Sequence, residues 1–142
     1  MNPRTLYRAA SIVLVLFFMG HTAGGMLAQK SLGPESDKVF AAMKSVHVNF
    51  NGADCTWYGF WFGLGLGTSL FLLVSAIVAW KLGSVAQQDW HVVSTIAWVL
   101  FAANVGNTVL AWAYFFAGPG VFATTASGLL GAGAWLRRRD NP

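Results

Sequence analysis

Residues 55–82 read CTWYGFWFGLGLGTSLFLLVSAIVAWKL, and this stretch decides the fold. From Trp57 through Trp80 it carries no charged side chain. At about 1.5 Å of rise per helical residue, it is long enough to cross the ~30 Å hydrocarbon core of a bilayer. Trp57, Tyr58 and Trp61 crowd one end and Trp80 marks the other, as aromatic residues do at membrane interfaces. We therefore predict a membrane-spanning helix.

Glycines recur along this helix at every fourth position, as Gly59, Gly63 and Gly67, and so share one face. Small residues on one face let another helix backbone approach closely. A second stripe with the same spacing lies near the C-terminus and consists of Gly120, Thr124, Gly128 and Ala132. We predict that both stripes are helix-packing surfaces, for another span or for another subunit.

The composition is that of a membrane protein. The 142 residues are 56% hydrophobic and 10% charged, against a charged share of about 25% in ordinary soluble domains. The basic residues are scattered around the apolar runs, so we expect no nucleic-acid partner. The single cysteine, Cys55, excludes an internal disulfide and a cysteine-based zinc cage. The length suits a single membrane domain over residues 1–142.

Four apolar runs predict a polytopic all-α protein, a bundle of four transmembrane helices at about residues 9–27, 57–80, 91–117 and 120–136. The first run follows Arg4 and Arg8, and it also fits a signal peptide cleaved near Ala23-Gly24-Gly25. Its length is sufficient for a span, and we therefore expect it to be retained.

A polar segment separates the first two runs and holds a short amphipathic helix over residues 35–50. Gly33-Pro34-Glu35 predicts its start, and its apolar residues follow helical spacing: Val39, Phe40, Met43, Val46 and Phe50. Asn51-Gly52 is expected to end this helix before the second span.

Basic residues predict the orientation. One side would hold Arg4, Arg8, Lys81 and the arginines at 137–139, six in all, and the other Lys30, Lys38 and Lys44, three in all; together they make the nine Lys and Arg of the chain. Positively charged segments stay in the cytoplasm. Both termini are therefore predicted to be cytoplasmic, and the polar segment external.

Polar side chains within the apolar runs are the candidate ligand contacts. They are skewed toward the external side and comprise His21, Thr22, Tyr58, Asn104, Asn107 and Thr108. Such groups are costly in lipid, so they indicate either a ligand pocket or hydrogen bonds between helices. A pocket built from them would open to the external side.

His21 allows two interpretations. An imidazole in a span can bind haem iron or another metal, or donate to a quinone. His47, in the external segment, is then the candidate second ligand. Alternatively, His21 is hydrogen-bonded across helices and holds the bundle together.

Gly20-His21-Thr22, followed by a polar loop and by Trp57-Tyr58-Gly59-Phe60-Trp61 at the start of the second span, resembles a group of short bacterial four-helix integral membrane proteins of unassigned function. Members of that group carry a histidine late in the first span and aromatic residues with glycine at the start of the second. The resemblance implies four spans and the bacterial inner membrane, and it implies no activity.

No catalytic residue is predicted. The sequence contains no HExxH, nucleophile elbow or P-loop, and no span core contains a charged residue. The expected function is non-enzymatic: a packing or accessory subunit, or a binder of a small apolar ligand in the external pocket. The expected partners are the bilayer and either a homo-oligomer or another membrane protein. A haem- or quinone-interacting redox subunit and a small transporter or channel remain alternatives, and no cofactor is assigned.

Overall fold

The computed structural model describes residues 2–28, 30–85 and 89–139, and within them the chain is mostly helical. The elements are α1 (Pro3–Met19), a π-helical segment (Gly20–Leu27), α2 (Pro34–Ser45), β1 (His47–Phe50), β2 (Ala53–Thr56), α3 (Trp57–Leu82), α4 (Trp90–Tyr114) and α5 (Ala117–Arg139). The predicted all-α class is confirmed, and the strands add one two-stranded hairpin.

Three of the described helical stretches are long and apolar enough to cross a membrane: Pro3–Leu27, Trp57–Leu82 and Trp90–Tyr114. They correspond to the first three predicted spans, and the first begins earlier than predicted because the helix continues back through Arg4 and Arg8 to Pro3. Pro3 suits a first helical position, where no backbone N–H is needed. The fourth predicted span lies within α5, which is rich in Gly, Ala and Thr and is not among these three.

The chain divides into two compact units. The terminal unit contains the described residues of Met1–Phe18 and Leu72–Pro142, and the central unit contains those of Met19–Phe71. Their borders fall within α1 and α3, so neither border coincides with a loop. The sequence predicted one domain over 1–142, and periodicity along these uninterrupted helices contains no sign of such a division.

The helix of the polar segment ends at Ser45, five residues before the predicted boundary. Pro34 begins it, acidic residues occupy its first turn and Lys44 its last, so its ends suit the helix dipole. Residues 47–50 then form β1, which pairs antiparallel with β2. Asn51 and Gly52 both have positive φ, 52° and 91°, as a type I′ hairpin turn requires. The Asn-Gly pair therefore closes a hairpin and does not simply end a helix.

The first apolar run changes from α- to π-helical geometry at Gly20. At its end the Ala28 N–H donates to the carbonyl oxygen of Ala23, five residues back, at 2.9 Å. Gly20, Gly24 and Gly25 are weak α-helix formers, which lowers the cost of leaving α geometry. Such segments are rare and often occur at functional positions. His21 lies within this one.

In the terminal unit, α4 and α5 pack antiparallel. The Thr108 and Ser127 hydroxyls are 2.9 Å apart, and the Trp112 indole N–H donates to Thr124 at 2.9 Å. Nearer the other end, the Arg137 guanidinium lies 5.9 Å from the Trp90 ring centroid. Helix α4 therefore runs past α5 along nearly its full length.

Helix α1 contacts both α3 and α5 within the same unit. The Ser11 hydroxyl donates to the Ala76 carbonyl at 2.7 Å, and Phe17 stacks on Phe122 with 5.6 Å between ring centroids. The largest fully buried side chains of the chain include Tyr7, Leu14, Leu72, Leu130 and Asn104, all in this unit. The core of the terminal unit therefore lies between these helices.

Four helix ends meet at one end of the terminal unit. The Arg8 guanidinium lies 4.0 Å from the Trp80 ring centroid and donates to Ser84 at 3.4 Å, which joins the start of α1 to the end of α3. Arg137, near the end of α5, donates to the Val85 carbonyl at 2.9 Å. We call this the basic end, and its cations are Arg4, Arg8, Lys81, Arg137 and Arg138.

Candidate functional site

His21 and Thr22 converge on one serine of α3 in the central unit. His21 Nδ1 is 3.1 Å from the Ser69 hydroxyl, and the Thr22 hydroxyl donates to the same oxygen at 2.8 Å. The Ser69 hydroxyl in turn donates to the Gly65 carbonyl at 3.3 Å. All three contacts are satisfied together when His21 carries its proton on Nδ1 and donates to Ser69. The other ring nitrogen, Nε2, then keeps its lone pair.

Ser69 is a site residue that the sequence analysis did not single out. It is almost fully buried, and it is the common partner of both predicted residues. The available signal was a hydroxyl within an otherwise apolar run, which in a membrane helix indicates a hydrogen-bonded contact. The pairing itself depends on the register between two helices, which neither helix specifies alone.

Asn104, Asn107 and Thr108 lie in the terminal unit, on α4. Thr108 bonds Ser127 of α5, whereas Asn104 Nδ2 donates only to the Leu100 carbonyl of its own helix, at 2.9 Å. Asn104 is 1% exposed, and its Oδ1 has no hydrogen-bond partner among the described residues. The same holds for the buried Nδ2 of Asn107. Of the three, only Thr108 links two helices by a side-chain hydrogen bond in the described structure.

Tyr58 belongs to an aromatic cluster of the central unit. Its ring centroid is 5.6 Å from that of Trp61 and 5.8 Å from that of Phe62, and the Lys44 ammonium lies 4.7 Å from its ring. Phe40 of α2 meets Trp61 edge-on at 5.4 Å. These contacts attach α2 to the start of α3. Tyr58 therefore has a packing role in the structure.

His47 pairs with Asp54 across the hairpin. Its Nδ1 is 2.9 Å from each carboxylate oxygen, and both side chains are exposed. The two candidate metal ligands thus have different partners, a serine for His21 and a carboxylate for His47. Among the described residues, no group of three or more His, Cys, Asp or Glu side chains is arranged to hold a metal ion.

The glycines of α3 differ in what they face. No described atom outside the local helix lies within 4 Å of a Cβ built on Gly63 or Gly67, whereas one on Gly59 would meet the Thr56 hydroxyl. A Cβ on Gly65 would overlap Met26 of the π-helical segment. The close approach within the chain is therefore at Gly65, which is not in the predicted stripe.

The small residues of α5 divide in the same way. Gly120 lies against Trp112, which also bonds Thr124, so half of the predicted stripe packs on α4. Gly128 has open space around it, and Ala132 is exposed. Glycines outside the stripe also make close contacts: Gly131 lies against Phe101, Gly133 against Tyr7 and Gly118 against the nearby Phe116.

A groove of about 410 Å³ lies between α1 and α3 in the terminal unit. Its lining is mostly apolar and includes Val15, Leu16 and Ile77. Lys81, one of the cations of the basic end, also lines it. None of the six predicted ligand residues lines it.

The fold defines a class: a helical protein whose described residues include three apolar helices long enough to span a membrane. No family model, curated protein or solved structure matches the chain.

Proposed function

We propose that this chain is a non-enzymatic integral membrane protein, a packing or accessory subunit that pairs with a second copy of itself through one face of α3. In this proposal four antiparallel spans cross a bacterial inner membrane, with α5 as the fourth and both termini cytoplasmic. The basic end supports this orientation, because it gathers the cations near both termini and Lys81, in the last turn of α3.

The open glycine face carries the proposal. Gly63 and Gly67 lie one helical turn apart, and no described residue outside the local helix covers them. Leu66 and Leu70 flank them on the same side and are 40% and 62% exposed. Close packing of backbones across small residues is a main source of helix association in lipid. A glycine surface that faces only lipid makes no such backbone contact.

A second copy is the partner that this face fits. A stripe of glycines bordered by leucines is self-complementary: the leucines of each helix can fill the space above the glycines of the other. Two-fold pairing of identical surfaces is the commonest arrangement of homo-oligomers.

The polar side chains support a packing role over a ligand role. His21 and Thr22 bond Ser69, and Thr108 bonds Ser127. These hydrogen bonds join helices within each unit. They use three of the six polar side chains predicted for an external pocket.

The test is Gly63→Leu combined with Gly67→Leu. No described atom outside the local helix lies within 4 Å of a Cβ at either position, and leucine is a better helix former than glycine, so the fold is expected to persist. The dimer, measured by energy transfer between labelled copies in liposomes, is expected to dissociate.

Gly106→Leu is the matched control, because Gly106 also has open space around it but lies on α4. It is expected to leave energy transfer unchanged. Equal energy transfer in the wild type and the double variant would contradict pairing through this face, and so would a monomeric wild type.

A further inference from the structure

We infer that the start of α4 and the end of α5 form a binding site for the phosphate group of an anionic membrane lipid. A cavity of about 270 Å³ lies at this point of the terminal unit. It is lined by Trp90, His91, Ser94, Trp98 and Arg138. The glycine face of α3 belongs to the other unit and shares no residue with this cavity.

The two neighbouring arginines of α5 have different tasks. Arg137 is 5% exposed, donates to the Val85 carbonyl and lies over the Trp90 ring. These contacts attach the end of α5 to the start of α4 and to the segment after α3. Arg138, the next residue, is turned by about 100° around the helix. It is exposed and lines the cavity. Its guanidinium is therefore placed to meet a ligand.

Helix α4 supplies the opposite wall. His91, Ser94 and Trp98 are spaced by three and four residues, so they share one face of the helix. Together they offer imidazole, hydroxyl and indole groups that donate hydrogen bonds. Ser94 at present bonds the carbonyl of His91 at a long 3.3 Å, a bond that a stronger acceptor can replace.

The lining has the composition of an anion site. It contains a guanidinium and several donors and no carboxylate. Arg–phosphate pairs are commonly bidentate, which makes them strong and specific. Asp89, which directly precedes the first lining residue, is the one acidic residue described in the terminal unit and does not line the cavity.

A lipid is the source of phosphate that fits the surroundings. Trp90 and the arginines lie at helix ends, the depth at which such side chains meet headgroups. Trp98 lies about two turns further along α4. Val92, Ile96 and Val99 continue along α4 from this level and are exposed, so acyl chains find an apolar surface there. The cavity is slightly smaller than the pockets of about 300–1,000 Å³ that hold drug-sized ligands, which suits a headgroup.

The test uses the full-length protein in detergent, titrated with phosphatidylglycerol or with phosphatidylcholine of equal chain length, with bound lipid counted by native mass spectrometry. The wild type is expected to prefer phosphatidylglycerol. Arg138→Gln is expected to weaken that binding about tenfold or more, because the bidentate partner is lost. Arg138→Lys keeps the charge and should retain part of the affinity.

His91→Gln is a second variant that should also weaken binding. Arg4→Gln is the control, since it removes a cation of the basic end that does not line the cavity. Wild-type affinity in both Arg138→Gln and His91→Gln would overturn the site. Binding of inorganic phosphate with no preference between the two lipids would overturn the lipid as its ligand.

Discussion

Thr108 and Asn104 lie one turn apart on α4 and contribute differently to its packing. Thr108 bonds the Asn104 carbonyl and also reaches Ser127 on α5. The Asn104 side chain bonds only its own helix and leaves Oδ1 without a described partner. A buried polar atom without a partner carries a desolvation cost that no bond offsets.

We therefore expect Thr108→Val to lower the free energy of unfolding by about 0.6 kcal/mol, the average for hydrogen bonds between membrane helices. Asn104→Leu should leave the free energy of unfolding unchanged or raise it, because leucine has no oxygen that would be buried without a partner. Denaturant titration in mixed micelles, followed by circular dichroism, measures both. A larger loss in Asn104→Leu than in Thr108→Val would show that Oδ1 has an essential partner.

Sequence reasoning identified the polar residues of the apolar runs but not their partners. His21, Thr22 and Thr108 were predicted either to bind a ligand or to join helices, and the structure gives each a partner on another helix. Ser69 and Ser127, those partners, were not singled out. A serine often bonds the carbonyl of its own helix one turn back, so its presence alone does not predict a contact with another helix.

Among the elements, the hairpin is one that the sequence analysis missed. Asn51-Gly52 between Phe50 and Ala53 is a strong turn signal, but the apolar residues before it also match helical spacing as far as Phe50. The structure ends the helix at Ser45 and pairs the strands across the turn. A stretch this short fits both periodicities, and strand pairing decides between them.

Gly52→Val is expected to destabilise this hairpin by about 1–2 kcal/mol, because the backbone there is in the left-handed region, with φ of 91°. Asn51→Gly should be tolerated, since glycine adopts the positive φ of that position freely. Hydrogen exchange of the hairpin amides measures the effect. Equal protection in both variants would mean that the turn does not hold the strands together.

The glycine stripes show what helical periodicity can and cannot predict. The four-residue spacing places Gly59, Gly63 and Gly67 on one face of α3, but the close contact with another described segment is at Gly65. Spacing identifies which residues share a face. The residue that packs on that face belongs to another helix, and its position depends on tertiary structure.

For the whole molecule, composition was sufficient to predict a helical protein with membrane-length apolar helices. Three of these helices were predicted, and most of their ends lie within a few residues of the predicted positions. The division into two compact units was not predicted, because its borders fall inside continuous helices. The four-span count and the orientation stay predictions.

Cys55 provides a test of that orientation, as the single cysteine of the chain. It is partly exposed in β2, which the proposed topology places outside. A membrane-impermeant maleimide should label it in intact cells. Ser84→Cys in a Cys55→Ser background should be labelled only after permeabilisation, because that exposed residue belongs to the basic end. The reverse pattern would contradict cytoplasmic termini.

The π-helical segment also has a consequence for how the chain length can vary. A π-helical turn holds more residues than an α-helical turn, so Gly20–Leu27 contains surplus chain relative to an α-helix. Loss of one residue there can be absorbed by a local change to α geometry. The same loss beside Ser11 would rotate every later side chain of α1 away from its neighbours. The π-helical segment is therefore the part of this helical stretch in which deletion of one residue is expected to disturb side-chain packing least.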